Sequence, residues 1–322
     1  MDMQQTSASD GRDARVLRLT ANDLEHRVLL WSPENATDAV EPSRGVSESS
    51  REPSPSPSLP MVVLIHGFMD AAGTWERVGL ALAAAGYRVA APDMRGFGQG
   101  ARAPKGGYYH FADYVFDLAD ILEAIAPNEP IRLVGHSMGG TVATLFAGTF
   151  PERVTRFANL EGLGPPDNDF DVAPVRMRSW IDQVRRSRRQ RRGKLTFTRE
   201  EALVRLKANH PNVPRATLEE LLPALTTDEG EGRVSWHFDL LHRTTSPQPF
   251  YAKQLMAFAR RITAPTLFVS GGPSGFHPAD EDERLASFAS HARLELADAG
   301  HMMHWTKPDA LSAELIRFFR AP

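Results

Sequence analysis

The chain has 322 residues and contains no cysteine. Without a thiol it forms no disulfide, carries no thiolate nucleophile and offers no cysteine ligand to a metal. It also lacks any run of about 18 apolar residues, the length that a membrane-spanning helix needs. Its N-terminal stretch is polar, without the apolar segment of a secretion signal. We therefore predict a cytoplasmic protein with no stable insertion into a membrane.

An excess of charge of one sign is missing as well. The chain has 37 Lys and Arg against 40 Asp and Glu, a formal net charge of -3, which gives no overall attraction to nucleic acid. A local basic cluster occupies residues 185–192. We interpret it as an exposed helix surface, with contact to an anionic substrate or lipid headgroup as the alternative. We predict a small molecule, and not nucleic acid, as the partner.

Signatures of cofactor binding are also lacking. The eleven histidines do not have the spacing of metal ligands, and no dinucleotide fingerprint is present. The glycine-rich stretch at residues 93–100 lacks the lysine and the hydroxyl residue that a phosphate-binding loop requires. We therefore predict that the protein uses no cofactor and no metal.

What the chain does contain is a regular alternation of predicted strands and helices. Residues 15–20 and 26–31 alternate apolar and polar side chains, which predicts an antiparallel pair at a sheet edge. Further strands are predicted at 61–65, 87–91, 131–134, 154–160 and 265–270, with a last one beginning at 294–296. Helices are predicted at 74–85, 111–126 and 311–319, and one more follows Ser137 and ends at Phe150. This alternation predicts an α/β fold with a mostly parallel, doubly wound sheet.

Three segments interrupt this pattern. Residues 1–13 and the Ser/Pro-rich residues 33–60 predict a disordered N-terminus and a flexible loop. Residues 163–245 show helical patterns at 173–192, 199–208 and 217–225 and few strand signals. Because this insertion follows the end of a strand, where α/β sheets bind ligands, we predict a helical cap. Residues 14–162 and 246–322 are predicted to form the two parts of the sheet domain.

The sequence Gly-His-Ser-Met-Gly at residues 135–139 stands between a predicted strand and a predicted helix. A serine at the centre of Gly-x-Ser-x-Gly in that context is typical of a nucleophile elbow. Gly135 and Gly139 leave room where the strand and the helix crowd each other, and the helix N-terminus favours negative charge near Ser137. A simple Gly/Ser turn is the alternative, so the assignment depends on a base elsewhere in the chain.

Histidines that follow the last predicted strand offer that base. His301, after Gly300, can take the proton of Ser137 and return it to a leaving group. For His304 we predict that it lines the pocket or packs, and for His136 that it supports the elbow.

The backbone near the elbow offers sites for a developing negative charge. His66-Gly67-Phe68 ends the predicted strand 61–65, where the N–H of Phe68 can donate to an oxyanion together with that of Met138. A glycine that simply ends a strand is the alternative for Gly67.

Four stretches together resemble the α/β-hydrolase superfamily, in its branch of capped serine hydrolases that are similar to esterases and lipases. They are His66-Gly67-Phe68, Asp-Met-Arg-Gly-Phe-Gly at residues 93–98, Gly-His-Ser-Met-Gly-Gly at residues 135–140, and Gly300-His301. The resemblance covers the chain from about Arg15 onward, apart from the Ser/Pro-rich loop. It implies the α/β-hydrolase fold and a mainly structural role for Asp93 and Arg95.

The acid of the triad departs from the family pattern. Most members carry an aspartate just after the penultimate strand, where this chain has Ser-Gly-Gly-Pro-Ser-Gly at residues 270–275. Some branches, such as those resembling haloalkane dehalogenases, place the acid after the strand that follows the nucleophile helix, which here is the position of Glu161. We therefore predict that Glu161 orients His301, with Asp280 or Asp282 as the alternatives.

The combined prediction is a serine hydrolase that cleaves a carboxylic ester of a small to medium apolar substrate through an acyl-serine intermediate. The predicted catalytic residues are Ser137, His301 and Glu161, and the predicted oxyanion donors are the N–H groups of Phe68 and Met138. The alternatives are a lactone, amide or carbon–carbon bond hydrolase with the same triad, or a non-catalytic ligand-binding member of the fold. Epoxide hydrolysis and dehalogenation are disfavoured, because relatives with those activities use an aspartate nucleophile.

Overall fold

The structure is a computed structural model that describes residues 14–33, 61–190 and 195–322. The predicted disordered residues 1–13 and residues 34–60 of the predicted loop lie outside the described residues, as do Arg191 and Arg192 of the basic cluster.

The described elements follow one another as strands and helices. The strands are β1 (Arg15–Ala21), β2 (Leu24–Trp31), β3 (Val62–Ile65), β4 (Val89–Pro92), β5 (Ile131–His136), β6 (Val154–Leu160), β7 (Phe197–Thr198), β8 (Thr226–Gly230), β9 (Arg233–Trp236), β10 (Thr266–Ser270) and β11 (His291–Glu295). The helices are α1 (Glu76–Ala84), α2 (Phe111–Ile125), α3 (Met138–Thr149), α4 (Val172–Gln190), α5 (Arg199–Asn209), α6 (Arg215–Leu225), α7 (Ala252–Ala259), α8 (Glu281–Ala286), α9 (Met303–Thr306) and α10 (Pro308–Arg320).

A central sheet of eight strands has the order β1-β2-β4-β3-β5-β6-β10-β11. β2 pairs antiparallel with β1 and with β4, and all the other neighbours in this sheet are parallel. Asn22 and Asp23 join β1 to β2 with φ angles of 47° and 58°, values that asparagine and aspartate tolerate better than most residues. The predicted mostly parallel sheet with an antiparallel edge is confirmed.

Helices cover both faces of this sheet, as the side chains of β3 illustrate. Val63 and Ile65 belong to a core shared with α2, α3 and α7, whereas Val62 and Leu64 belong to a core shared with α1 and α10. All four are fully buried, and burial of such a side chain contributes roughly 1.5–3 kcal/mol. The continuous apolar runs that predicted doubly covered strands reflect this arrangement.

The last strand differs from its prediction. β11 covers His291–Glu295, whereas the sequence predicts a strand that only begins at residues 294–296. Most side chains of β11 are exposed at the edge of the sheet, so no apolar alternation marks where the strand starts.

The segment between β6 and β10 contains the predicted helices and also a small sheet that the sequence did not predict. α4, α5 and α6 correspond to the predicted helical stretches, while β7, β9 and β8 form a separate three-stranded antiparallel sheet. The few strand signals in this part of the sequence did not indicate this sheet. β7 has two residues and β8 reads Thr-Thr-Asp-Glu-Gly, which is largely exposed, so neither shows an apolar strand pattern.

α4 carries the described part of the basic cluster. Arg185, Arg186, Arg188 and Arg189 are exposed on this helix, as predicted for a solvated surface. None of the described helices is long and apolar enough to cross a membrane.

Candidate active site

Ser137 stands at the turn from β5 to α3 with a strained backbone. Its φ of 51° and ψ of -118° lie outside the regions that non-glycine residues normally adopt. Hydrogen bonds hold it there: its N–H donates to the carbonyl oxygen of Leu160 in β6, and its own carbonyl accepts from Gly140 and Thr141. The turn is thus fixed by the neighbouring strand and by the first turn of α3.

The glycines on either side of Ser137 are required by close backbone contacts. A Cβ at Gly135 would lie 2.5 Å from the carbonyl oxygen of Gly139, and one at Gly139 would lie 2.4 Å from that of Ile65. No side chain fits at these distances. The crowding that the motif predicts at both glycines is confirmed.

His301 lies between Ser137 and Glu161. Its Nε2 is 3.0 Å from the Oγ of Ser137, and its Nδ1 is 2.7 Å from Oε2 of Glu161. With Nδ1 protonated, the ring donates to the carboxylate and accepts from the serine hydroxyl. The structure therefore brings the three predicted catalytic side chains into one hydrogen-bonded line.

Glu161 is buried and has a φ of 48°. Besides His301, its oxygens accept from the backbone N–H groups of Gly271 and Phe276, both at 2.6 Å. Burial alone raises the pKa of this carboxyl group, but the hydrogen bonds from His301 and from the two backbone N–H groups hold the pKa below its usual value. Glu161 is consequently an anion at neutral pH.

The alternative acids make other contacts. Asp280 pairs with Arg284 at 2.8 Å, and Asp282 pairs with Arg293 at 2.6 Å on the surface. Of the three carboxylates considered from the sequence, Glu161 is the one in contact with His301.

His136 supports the loop that carries His301. Its Nε2–H donates to the carbonyl oxygen of His301 at 2.8 Å. Burial, together with the neighbouring charges of His304 and His301, holds the pKa of His136 well below its usual value. His136 is thus a neutral donor, as expected for support of the elbow.

His304 is buried and bonds to a buried aspartate. Its Nε2 lies 2.9 Å from Oδ2 of Asp70, and its ring stacks on Trp75 with centroids 4.4 Å apart. Asp70, His136 and His304 offer ligand atoms within 4.8 Å of one another, a group that the sequence spacing did not reveal. Oδ1 of Asp70 also accepts from Thr74, and Nε2 of each of the two histidines bonds within the protein, whereas Nδ1 of both rings is buried without a hydrogen-bond partner among the described residues.

The loop after β3 lies against the elbow. A Cβ at Gly67 would be 3.3 Å from that of Ser137 and 2.7 Å from Nδ1 of His136. His66 holds this loop, since its Nε2 accepts from the N–H of Met94 and its Nδ1–H donates to the carbonyl oxygen of Gly67.

The predicted oxyanion donors are the backbone N–H groups of Phe68, in the loop after β3, and of Met138, the first residue of α3. Within the described part of the chain, neither the N–H of Phe68 nor that of Met138 donates to another residue. Both are free to bind an oxyanion, and their role stays a prediction.

Asp93 and Arg95 have the contacts of structural residues. Asp93 is fully buried and accepts from the N–H groups of Ala72 and Gln99 and from Arg27. Arg95 forms a buried ion pair with Asp117. These bonds tie the strand ends together beneath the site.

A cavity of about 1050 Å³ contains Ser137, Glu161 and His301 in its wall. Two aromatic residues that precede α7, Phe250 and Tyr251, line it, whereas Trp180, Phe238 and Trp236 pack against the cores. The lining also includes a face of α2, which was predicted from the sequence as a helix without a role in the site. Phe116 on this face is 54% exposed, and a phenylalanine that lies off the apolar stripe of an amphipathic helix was the signal available in the sequence.

Residues 60–308 match the profile of the alpha/beta hydrolase fold, and the chain belongs to this family. A serine hydrolase-like protein of Dictyostelium discoideum is 26% identical over 287 residues, which are 85% of this chain and 79% of that protein. A serine hydrolase-like protein of Danio rerio is 31% identical over 179 residues, 54% of this chain and 53% of the relative. Epoxide hydrolase B of Mycobacterium tuberculosis is 35% identical over 112 residues, 35% of this chain and 30% of its own length.

Solved structures resemble the fold over nearly the whole chain. A hypothetical protein of Pseudomonas aeruginosa has a TM-score of 0.76 at 24% identity, with 94% of this chain and 97% of that chain covered. A thioesterase domain from the curacin biosynthetic pathway has a TM-score of 0.73 at 23% identity, with 94% and 99% covered. At these identities the likeness concerns the fold.

Proposed function

We propose that this protein is a serine hydrolase that cleaves a carboxylic ester through an acyl-serine intermediate. The observation that carries the proposal is the hydrogen-bonded line from Ser137 Oγ through His301 to Glu161 at the wall of a large cavity. A nucleophile, a base and an orienting carboxylate in this order are the constellation that acyl transfer requires.

In the first half of the reaction, Nε2 of His301 takes the hydroxyl proton while the Oγ of Ser137 bonds to the ester carbonyl carbon. The carbonyl oxygen becomes an oxyanion and accepts from the N–H groups of Phe68 and Met138. The carbon–oxygen bond to the alcohol then breaks, and His301 gives its proton to the departing oxygen. An acyl-serine remains.

In the second half, His301 takes a proton from water as the water oxygen bonds to the acyl carbon. The bond to Ser137 breaks and its Oγ recovers the proton, which releases a carboxylic acid. Glu161, held ionised by its hydrogen bonds, stabilises the imidazolium that forms in both halves.

A serine nucleophile favours a carbonyl substrate over an epoxide. Attack of Ser137 on an epoxide would break a ring carbon–oxygen bond and, after protonation of the alkoxide, leave a hydroxyalkyl ether on the serine. That ether has no carbonyl carbon at which water could attack to release the product. Two epoxide hydrolases that match this chain are 35% and 38% identical to it over segments of about one third of its length. Epoxide hydrolase A of Mycobacterium tuberculosis is 25% identical over 304 residues, 81% of this chain and 91% of its own length. Similarity at this level is shared by hydrolases of different activities, so the serine nucleophile decides the proposal.

We also propose that residues 163–245 form a cap on a sheet domain of residues 14–162 and 246–322. Pro165, Asn168, Arg176 and Thr244, which belong to this segment, line the same cavity as Ser137. Residues that shape the pocket therefore come from the segment inserted between β6 and β10.

The proposal is tested with a fluorophosphonate probe and a panel of nitrophenyl esters. Wild-type protein is expected to be labelled at Ser137 and to hydrolyse at least one ester, and Ser137→Ala or His301→Gln is expected to lower kcat/KM by about a thousandfold or more. Ser290→Ala, at an exposed serine, is the matched control and should retain both properties. Absence of labelling and of turnover in the wild-type protein would reject the proposal.

A further inference from the structure

The cavity extends well beyond the catalytic residues along the outer face of α3. Met138, Thr141, Leu145 and Thr149 line it, and their spacing of three and four residues places them on one stripe of the helix. At 1.5 Å per residue, this stripe is about 16 Å long. A groove of that length starts beside Ser137 and leads away from it.

Two other helices form the sides of this groove. Val115, Phe116 and Ala119 of α2 and Leu255 and Phe258 of α7 line the same cavity, and both helices pack on α3. None of the lining residues that these three helices contribute carries a charge. An uncharged, largely apolar groove binds a hydrocarbon chain better than a polar group.

The positions of His301 and of the groove indicate where the alcohol and acyl parts of the ester lie. His301 must protonate the departing alcohol, so the alcohol stays close to His301 on the loop between β11 and α9. α3 begins directly after Ser137, and its lining stripe runs from Met138 to Thr149 without including the loop that carries His301. The stripe is therefore assigned to the acyl part.

We infer that the substrate is an ester of a long, linear fatty acid, whose acyl chain lies in the groove between α2, α3 and α7. This inference rests on the ester hydrolase function proposed above and names its substrate class. A stripe of about 16 Å accommodates roughly ten to twelve extended carbon atoms. Burial of each methylene is expected to increase kcat/KM by about twofold to fourfold until the chain fills the groove.

The kinetic test compares nitrophenyl esters of acids with two, four, eight and twelve carbons, each below its micelle concentration. Leu145→Trp places a bulky ring midway along the groove and is expected to lower kcat/KM at least tenfold for the dodecanoate, with less than a twofold change for the acetate. Val204→Trp, on an exposed position of α5 outside the cavity, is the matched control. Ala119→Trp blocks the groove from α2 and serves if Leu145→Trp does not fold.

A second comparison assigns the chain to the acyl side. Ethyl dodecanoate and dodecyl acetate have a chain of the same length on opposite sides of the scissile bond. The inference expects the groove variant to impair hydrolysis of the first and to spare that of the second, and the reverse result would overturn it.

A binding measurement separates this inference from the proposed function. Affinities of Ser137→Ala protein for butanoate, octanoate and dodecanoate are measured by calorimetry, with and without Leu145→Trp. Affinity that rises with chain length and falls at least tenfold for dodecanoate with Leu145→Trp supports the groove even if no ester is turned over. Affinity that is independent of chain length, or of the tryptophan, overturns the inference whatever the activity.

Discussion

At the scale of single residues, Glu161 is held by three donors: the ring of His301 and the backbone N–H groups of Gly271 and Phe276. Position 275 must be a glycine, because a Cβ there would lie 1.9 Å from Oε1 of Glu161. A site with this many donors accepts a carboxylate and little else.

Glu161→Gln tests this site. The amide keeps the shape but loses the charge and turns an N–H toward one of the three donors, so we expect kcat/KM to fall by about a hundredfold or more. Ester hydrolysis by purified variants gives the measurement, and thermal unfolding separates lost activity from lost structure. Asp282→Asn is the control, since Asp282 is exposed and contacts Arg293. A Glu161→Gln protein with wild-type activity would remove Glu161 from the mechanism.

The residues of the site differ in how far sequence predicts them. Ser137 and His301 stand in short stretches whose glycines indicate a turn, so the residues next to them in the chain are sufficient to predict their place in the site. Glu161 has no such local pattern, and its backbone donors come from a loop that follows β10, 110 residues later in the case of Gly271. Glu161 and its donors come together only in the folded chain, and the sequence shows no more than a carboxylate at the end of a predicted strand.

At the scale of elements, the packing of α3 against β3 depends on Gly139. A Cβ at this position would meet the backbone oxygens of Ile65 and His66 at 2.4 and 2.5 Å, and backbone atoms of a buried strand cannot move away cheaply. In a solvent-exposed helix, replacement of glycine by alanine would increase the stability by about 1 kcal/mol. A loss of stability on replacement of Gly139 would therefore indicate the close contact with β3.

We therefore expect Gly139→Ala to lower the free energy of unfolding by about 2–4 kcal/mol. Gly106→Ala is the comparison: its Cβ would meet nothing within 4 Å, and its φ of 93° is the only source of strain, worth about 1 kcal/mol. Urea denaturation of both variants measures the difference. Equal losses of stability in the two proteins would show that the close approach of α3 to β3 has been overstated.

The elements that sequence predicts well are those with a buried, apolar pattern. β3 reads as a continuous apolar run, β5 and β6 are mostly buried despite the polar residues within them, and α2 has a clear apolar stripe. The elements that it misses are short or exposed, such as β8 and the edge strand β11. These elements form through hydrogen bonds to a neighbouring strand, and the sequence of one strand does not indicate which strand it pairs with.

At the scale of the whole molecule, buried histidines link stability to pH. Burial is the main cause that lowers the pKa of each of these histidines: His26, His136, His210, His237 and His242. His242, stacked between Phe97 and Tyr109 with ring centroids 4.0 Å away in both cases, has its pKa lowered to about 3. The surface residue His277 behaves oppositely, since hydrogen bonds with Gly272 and Glu281 raise its pKa.

The sign of the linkage follows from these directions. Below pH 6.5 the unfolded chain protonates its histidines while the folded protein keeps the buried ones neutral. The unfolded state then binds more protons, so the free energy of unfolding decreases as the pH falls. For His242 this loss continues from pH 6.5 down to about 3. The lowered pKa of Glu161 acts in the same direction, but only once the pH falls below the ordinary range of a carboxyl group.

We expect the free energy of unfolding to fall between pH 7.5 and pH 5.5, with about 1 kcal/mol of this decrease from His242, whose pKa is lowered to about 3. Urea denaturation at several pH values measures this slope. His242→Gln should reduce the slope by about one histidine's share even though it also lowers stability at pH 7.5, because the slope depends on the titrating group and not on the packing. His277→Gln, at a histidine whose pKa is raised, should make the slope steeper or leave it unchanged. A stability that stays constant or rises on acidification to pH 5.5 would contradict the assignment of neutral buried histidines.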